Sequence, residues 1–247
     1  TNLVFKTQQL QRIRDSIRAA PLNLQFANNI QSMLNSFPEL TNIRFRSSTN
    51  AEDIPGFNGA GLYNSATGIR HDTSQSIEDA IKEVWASLWN IRAFEERNYF
   101  KIAHSTVSMG ILVHRSFPNE DANGVIITQN IYNPGNPALT INVQYKDYSV
   151  VLPKDGIIPD QIILYLFNPD PKLNYSIEYI GRSTVPGVHQ TIMSDNELIR
   201  LAKMCQSVMH HYQYNLKIDH PLDIEFKIDS QFDDRKIYLK QVRTFRQ

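Results

Sequence analysis

Apolar side chains recur at helical spacing over residues 5–19, where Leu10, Ile13 and Ile17 share a face, and the pattern stops at Pro21. It resumes over residues 22–37 with Phe26, Ile30, Leu34 and Phe37, and stops again at Pro38. Proline cannot continue a helix, so two amphipathic helices in series are predicted. The period then switches to that of a strand. Ile43, Phe45 and Ser47 alternate with Arg44, Arg46 and Ser48, giving one largely apolar face and one basic face. This strand runs into a polar loop carrying Gly56, Gly59 and Gly61. From Ser76 the helical period returns. Ser76 and Asp79 form a capping-box arrangement, and Ile77, Ile81, Val84, Trp85, Leu88 and Ile91 make one stripe that continues toward Phe94.

Residues 107–117, 125–128 and 139–145 are rich in strand formers and are separated by Pro, Asn and Gly turns. Residues 174–180 read as a further strand. Residues 196–214 are helical, with Leu198, Leu201, Cys205, Val208 and Tyr212 on one face. Residues 222–228 and 236–242 read as a terminal hairpin around the polar turn SQFDDR. This order predicts an α+β fold in two lobes. The first spans residues 1–105 with the helices and the glycine loop; the second spans residues 106–247 and ends in the hairpin.

Composition narrows the function classes. The 247 residues suffice for one large domain or two lobes. Lys+Arg and Asp+Glu both number 25, and this zero net charge disfavours a general nucleic-acid binder. No apolar run approaches a membrane span, and no signal-peptide core opens the chain. The single cysteine, Cys205, excludes an intrachain disulfide and fits a reducing, cytoplasmic compartment. The chain does not begin with Met and is expected to be a domain cut from a longer protein.

Two segments carry candidate chemistry. A strand ending in Arg46 and releasing into glycines suits phosphate: glycines let backbone N–H groups approach an anion, and arginine offers a planar charged fork. Such a loop is equally an ordinary polar surface turn, and no Gly-Lys-Ser/Thr follows it as in a Walker loop. In the terminal hairpin, alternation puts Asp223, Glu225 and Lys227 on one face, and Ile237, Leu239, Gln241 and Arg243 together on one face of the partner strand. A carboxylate, an amide and a guanidinium can then converge. Mg²⁺ takes oxygen ligands of this kind beside substrate phosphates. The alternative is an exposed polar hairpin face. Glu52 and Asp53 suit either a metal or their own turn. His114 in an apolar strand reads as a packed histidine, Cys205 as a core thiol, and the His210-His211 pair has no third ligand at metal spacing.

The string RSSTNAEDIPGFNGAGLY, with WASLWNIRA from Trp85 to Ala93, DIEF from Asp223 and YLKQVR from Tyr238, resembles the N-terminal nucleotide-binding domain of the phosphoenolpyruvate synthase and pyruvate phosphate dikinase family. The blocks match RSSA-x-x-ED-x-P, W-x-S-L-x-x-x-R-A, DIEW or DIEF, and L-x-Q-x-R, in that order. The resemblance implies a two-lobed, ATP-grasp-like domain that binds Mg-ATP. It also implies phosphoryl transfer to a histidine on a separate mobile domain, and from there to an acceptor. It gives Arg46 and Arg243 the catalytic contacts to phosphate. Gly61 and Ser65 would line the phosphate loop, Glu225 and Gln241 would hold Mg²⁺, and His114 would stand in the strand lining the adenine pocket.

The resemblance is incomplete. The family's lysine-bearing glycine loop has no counterpart before Arg44, since Lys6 lies in a helical pattern. The family segment G-L-G-E-x-V-V is replaced by YKDYSVV from Tyr145. The phosphohistidine domain is absent from the chain. The expectation is an ATP-binding domain inactive alone; the alternative is a degenerate, non-catalytic or regulatory module.

Overall fold

The computed structural model describes residues 3–36, 42–54, 57–59, 61–151, 156–167, 175–188, 190–230 and 234–245, with the backbone alone at positions 53 and 58. The chain divides into two compact units, Thr1–Pro118 and Asn119–Gln247. Helix and sheet are mixed throughout, as an α+β fold requires.

The first unit opens with α1 (Leu3–Ala19) and α2 (Leu24–Leu34), matching the two predicted helices. Asn23 caps α2, its side chain accepting from the Gln25 and Phe26 amides. The far end of the second predicted helix, Phe37 and Pro38, lies outside the described residues. Then come β1 (Asn42–Thr49), the short β2 (Asp53–Ile54) and β3 (Phe57–Asn58), and β4 (Ala66–Ile69).

The long stripe beginning at Ser76 is two helices, not one. These are α3 (Ile77–Ala86) and α4 (Ile91–Tyr99), separated by a tight 3₁₀ turn over Ser87–Trp89. The Ser87 hydroxyl donates to the Val84 carbonyl at 2.6 Å, and Asn90 takes extended dihedrals of φ −58° and ψ 139°. That geometry ends the helical ladder although the apolar spacing runs on. The stripe is thereby shared between two cores. Ile77, Ala80, Ile81 and Val84 pack with Ile43 and Phe45, whereas Leu88 and Ala93 pack with Phe57, Leu62 and Tyr63.

β5 (Met109–Arg115) completes an antiparallel three-stranded sheet of order β4-β1-β5. One face of β1, with Ile43 and Phe45, is buried against α3. The other face carries Arg44, Arg46 and Ser48.

The second unit is a six-stranded antiparallel sheet backed by one long helix. Its elements are β6 (Ala122–Ile127), β7 (Ala138–Tyr145), β8 (Asp160–Tyr165), β9 (Ser176–Gly181), α5 (Asp195–His210), β10 (Leu222–Asp229) and β11 (Lys236–Thr244). The order is β11-β10-β6-β7-β8-β9. The middle of the predicted hairpin turn, and Asn174 before β9, lie outside the described residues. A full capping box, Ser194 with Glu197, starts α5, and a π-helical turn over His211–Asn215 follows it. Leu198, Leu201, Ala202 and Cys205 of α5 are buried against Ile141, Ile162, Ile224 and Phe226. Burying a side chain of this size contributes about 1.5–3 kcal/mol, so this face fixes the sheet's orientation toward its helix. The opposite face is left half-exposed, and Asp223, Glu225 and Lys227 lie on it. Among the described residues no helix is long and apolar enough to cross a membrane.

Candidate nucleotide site

The glycine segment is a closed hairpin, not a loose turn. β2 pairs with β3, and the Gly59 amide donates to the Glu52 carbonyl at 2.7 Å. A Cβ at position 59 would stand 2.9 Å from the Glu52 Cα, so only glycine permits this closure. Gly61 has φ +74° and open space around it, so its backbone conformation, not crowding, demands glycine. Gly56 and the Asp53 side chain lie outside the described residues. Ser65 is half-buried just before β4.

Beneath this hairpin lies a residue the sequence reading missed. Arg97 of α4 is fully buried, yet its hydrogen bonds go to neutral acceptors. Its Nη2 donates to the Leu88 carbonyl at 2.7 Å, its Nη1 to the Tyr63 hydroxyl at 3.2 Å and its Nε to His104 Nδ1 at 3.2 Å. Tyr63 in turn donates to the Ala51 carbonyl at 3.0 Å. The other ring nitrogen of His104 meets Asn98 Oδ1 at 2.9 Å, and the ring stacks on Phe94 with centroids 4.0 Å apart. Burial, then the Arg97 charge, push His104 below its ordinary value, while Glu95 pulls the other way. Neutral His104 can thus accept from Arg97 while donating to Asn98. Asn90, at the helix break, adds bonds to the Leu62 carbonyl at 3.3 Å and Asn64 Oδ1 at 3.2 Å. The signal was present: Ala93 and Arg97, four residues apart, occupy the buried side of one helix.

In the second unit the terminal hairpin brings the predicted residues together by a route that alternation did not show. Asp223 stands opposite Arg243, and Glu225 opposite Gln241. The next pair is Phe226 with Leu239, so Lys240 is an extra residue in a β-bulge. Ile237 and Leu239 therefore pack into the core with Phe226 and Ile228, while Gln241 and Arg243 lie on the opposite face with Glu225 and Asp223. The expectation that Ile237, Leu239, Gln241 and Arg243 share one face is thus corrected. Strict alternation would have put Gln241 in the core, and the bulge resets the phase.

Arg243 is held in place. Its Nη2 and Nε lie 2.7 and 2.9 Å from Asp223 Oδ2. The other Asp223 oxygen is buried and, among the described residues, has no hydrogen-bond donor. An acceptor in that state, beside a carboxylate and an amide oxygen in register, fits a hard cation that takes one or two protein oxygens and fills its shell with phosphate and water. Among the described residues there is no cluster of three or more His, Cys, Asp or Glu that could hold a metal by protein groups alone. Lys227, on the same face, pairs with the buried Glu120.

The remaining candidates are placed as follows. His114 lies on the face of β5 opposite the packed Met109, Ile111 and Val113, across from Arg44, so it is not a core histidine. Its Nδ1 contacts the Arg115 carbonyl. Arg46 is half-buried opposite Leu112. His210 and His211 are exposed, and the His210 ring lies against Tyr214. Cys205 is fully buried, and burial pushes its thiol up to about 12, which makes it inert. Lys6 pairs with Glu95 at 2.8 Å. After β7, Lys146 takes φ +50°, and Asn123 Nδ2 donates to the Lys146 and Tyr148 carbonyls at 2.6 and 3.0 Å.

Comparison with known families gives a match over nearly the whole chain. The family described as pyruvate phosphate dikinase, AMP/ATP-binding domain, matches residues 6–247. A probable phosphoenolpyruvate synthase of Pyrococcus abyssi is 26% identical over 97% of this chain and 31% of its own length. The phosphoenolpyruvate synthase of Deinococcus radiodurans is 24% identical over 94% of this chain and 31% of its own. An uncharacterized phosphotransferase of Bacillus subtilis is 25% identical over 97% of this chain and 29% of its own. The chain thus spans under a third of the length of these relatives.

Proposed function

The chain belongs to the pyruvate phosphate dikinase AMP/ATP-binding domain family, and from that premise we propose that it binds Mg-ATP as the nucleotide domain of a phosphoenolpyruvate synthase-like phosphotransferase. The fold in this reading is ATP-grasp-like. The observation that carries it is the register of the last two strands: Glu225 faces Gln241, and the Asp223–Arg243 pair lies beside them on the half-exposed sheet face.

In this reading Glu225 and Gln241 would hold Mg²⁺, with Asp223 as the neighbour that would orient its shell. The ion supplies charge neutralisation and orientation of the phosphates. Arg243, fixed by Asp223, presents its remaining donors to a phosphate oxygen without searching rotamers. In the first unit, Arg46 contacts phosphate from within β1, which runs on to Thr49 instead of ending at the arginine, and Gly61 and Ser65 line the hairpin above the Arg97 network. Catalysis of this kind is positioning and electrostatics, with the acceptor histidine supplied by another domain. The three relatives above are named as a probable synthase, a synthase and a phosphotransferase, which supports that class.

A second reading, nucleotide binding without turnover, rests on the turn after β7. In the segment that replaces the family's G-L-G-E-x-V-V, Tyr145 and Asp147 stand at the glycine positions and Tyr148 at the acidic one, and Lys146 between them takes φ +50°. Calorimetric titration with a non-hydrolysable ATP analogue, with and without Mg²⁺, tests binding. Tight Mg²⁺-independent binding contradicts the roles of Glu225 and Gln241. Labelled ATP and an assay for acid-labile phosphohistidine then separate the readings. Turnover in the full-length protein marks an enzyme, and silence there marks a binding module. Autophosphorylation of the chain at His114, or at the His210-His211 pair, contradicts both.

A further inference from the structure

Arg44 is not accounted for by any role above. It shares the open face of β1 with Arg46, two residues along, and stands opposite Thr67 on β4 and His114 on β5. Side chains so placed lie about 7 Å apart along the strand. Among the described residues the half-buried Arg44 guanidinium makes one hydrogen bond, from Nη1 to Thr67 Oγ1 at 3.1 Å, and has no carboxylate partner. The register neighbours on this face, including Asn42, Ser48, Gly110, Leu112 and His114, bring no negative charge. Leu112 is 55% exposed, which shows that the face is open beside the arginines. Burial first, and the charge of Arg46 second, push the Arg44 guanidinium below its ordinary value.

Two guanidiniums on one face, one of them half-buried without a counter-charge, are an arrangement that an anion relieves. We propose that Arg44 is a second anion-binding residue, which together with Arg46 takes neighbouring oxygens of a polyphosphate chain and so favours nucleoside triphosphate over monophosphate. The identity of the ligand as a nucleotide rests on the function proposed above; the anion site itself does not.

The test is titration of the 247-residue chain with ATP, AMP and inorganic triphosphate at low and moderate salt. Arg44→Gln is expected to weaken ATP and triphosphate about tenfold, the worth of one charge-assisted contact, to leave AMP little changed and to flatten the salt dependence. Thr67→Val, which removes only the internal hydrogen bond, is expected to keep wild-type ATP binding. Should it copy Arg44→Gln, Arg44 is structural and the proposal falls. Binding of triphosphate but not ATP, lost in Arg44→Gln, removes the nucleotide reading and retains the anion site. ATP binding unaffected by Arg44→Gln removes the anion site and retains the nucleotide reading. No binding of any of the three overturns both. If Arg44→Gln does not fold, Arg44→Lys carries the test. It keeps the charge and loses the fork, so weaker ATP binding with an unchanged salt dependence is expected, and equality with wild type overturns the proposal.

Discussion

The guanidinium of Arg97 reaches the hydroxyl of Tyr63 at 3.2 Å, and that hydroxyl reaches the Ala51 carbonyl at 3.0 Å. One buried side chain of α4 thereby grips the glycine hairpin on both sides of its closure. Removing it leaves three acceptors without a donor. Arg97→Met is expected to destabilise the first unit by about 3 kcal/mol, and Tyr63→Phe by about 1–2 kcal/mol. Both tryptophans, Trp85 and Trp89, belong to this unit, so urea unfolding followed by their fluorescence isolates it. Unchanged midpoints in both variants would remove the network from any structural role.

His104 makes this network sensitive to acid. Its folded value lies below the ordinary 6.5, so the unfolded chain binds the proton more readily. The contribution of neutral His104 is therefore complete above pH 6.5 and is lost as pH falls through the folded value. The first unit is expected to lose stability on acidification in that window, and His104→Gln to flatten the dependence. Arg97, Glu95 and Asn98 surround the ring, and a profile in which the variant keeps the wild-type slope would assign the effect to other groups.

Asp223 and Arg243 should separate stability from binding. Arg243→Ala leaves a largely buried carboxylate without its cation, at an expected cost of about 1–3 kcal/mol to the second unit. The double variant Asp223→Ala with Arg243→Ala is expected to recover part of that stability and none of the ATP affinity. If affinity returns with stability, the pair is structural and makes no contact with ligand.

Deletion of Lys240 is expected to be tolerated. Removing the extra residue joins Leu239 to Gln241 in regular pairing and leaves both faces of β11 as they are, at a cost of about 1 kcal/mol or less. Deletion of Tyr238 should behave oppositely, because it moves Ile237 out of the core and turns Lys236 toward it. Thermal unfolding of the two deletions, with calorimetric ATP titration of the first, checks both. Equal destabilisation contradicts the assignment of the bulge.

The elements with a long uniform period were legible: both opening helices, β1, α5 and β10 follow their apolar spacing. β8 was not recognised. Its DQIILY sequence has buried positions on both faces, so apolar alternation is blurred. The break at Asn90 was hidden because it lies in a hydrogen-bond detail while the stripe continues. The pairing of Glu225 with Gln241 was anticipated from a phase that proved wrong by one residue. Arg97 escaped notice because burial of a charge is decided by the acceptors that meet it, and these, Tyr63, Leu88 and His104, come from three separate stretches of chain.

The bulge at Lys240 splits β11 into two independently tuned pieces. The portion before it answers to the packing of Phe226 and Ile228, and the portion after it answers to Asp223 and Glu225. A length change at this one point is absorbed without passing from one piece to the other. Divergence among relatives can therefore rework the hairpin tip and its volume while the oxygen-bearing end stays fixed, and a relative lacking the extra residue is not thereby disqualified as a nucleotide binder.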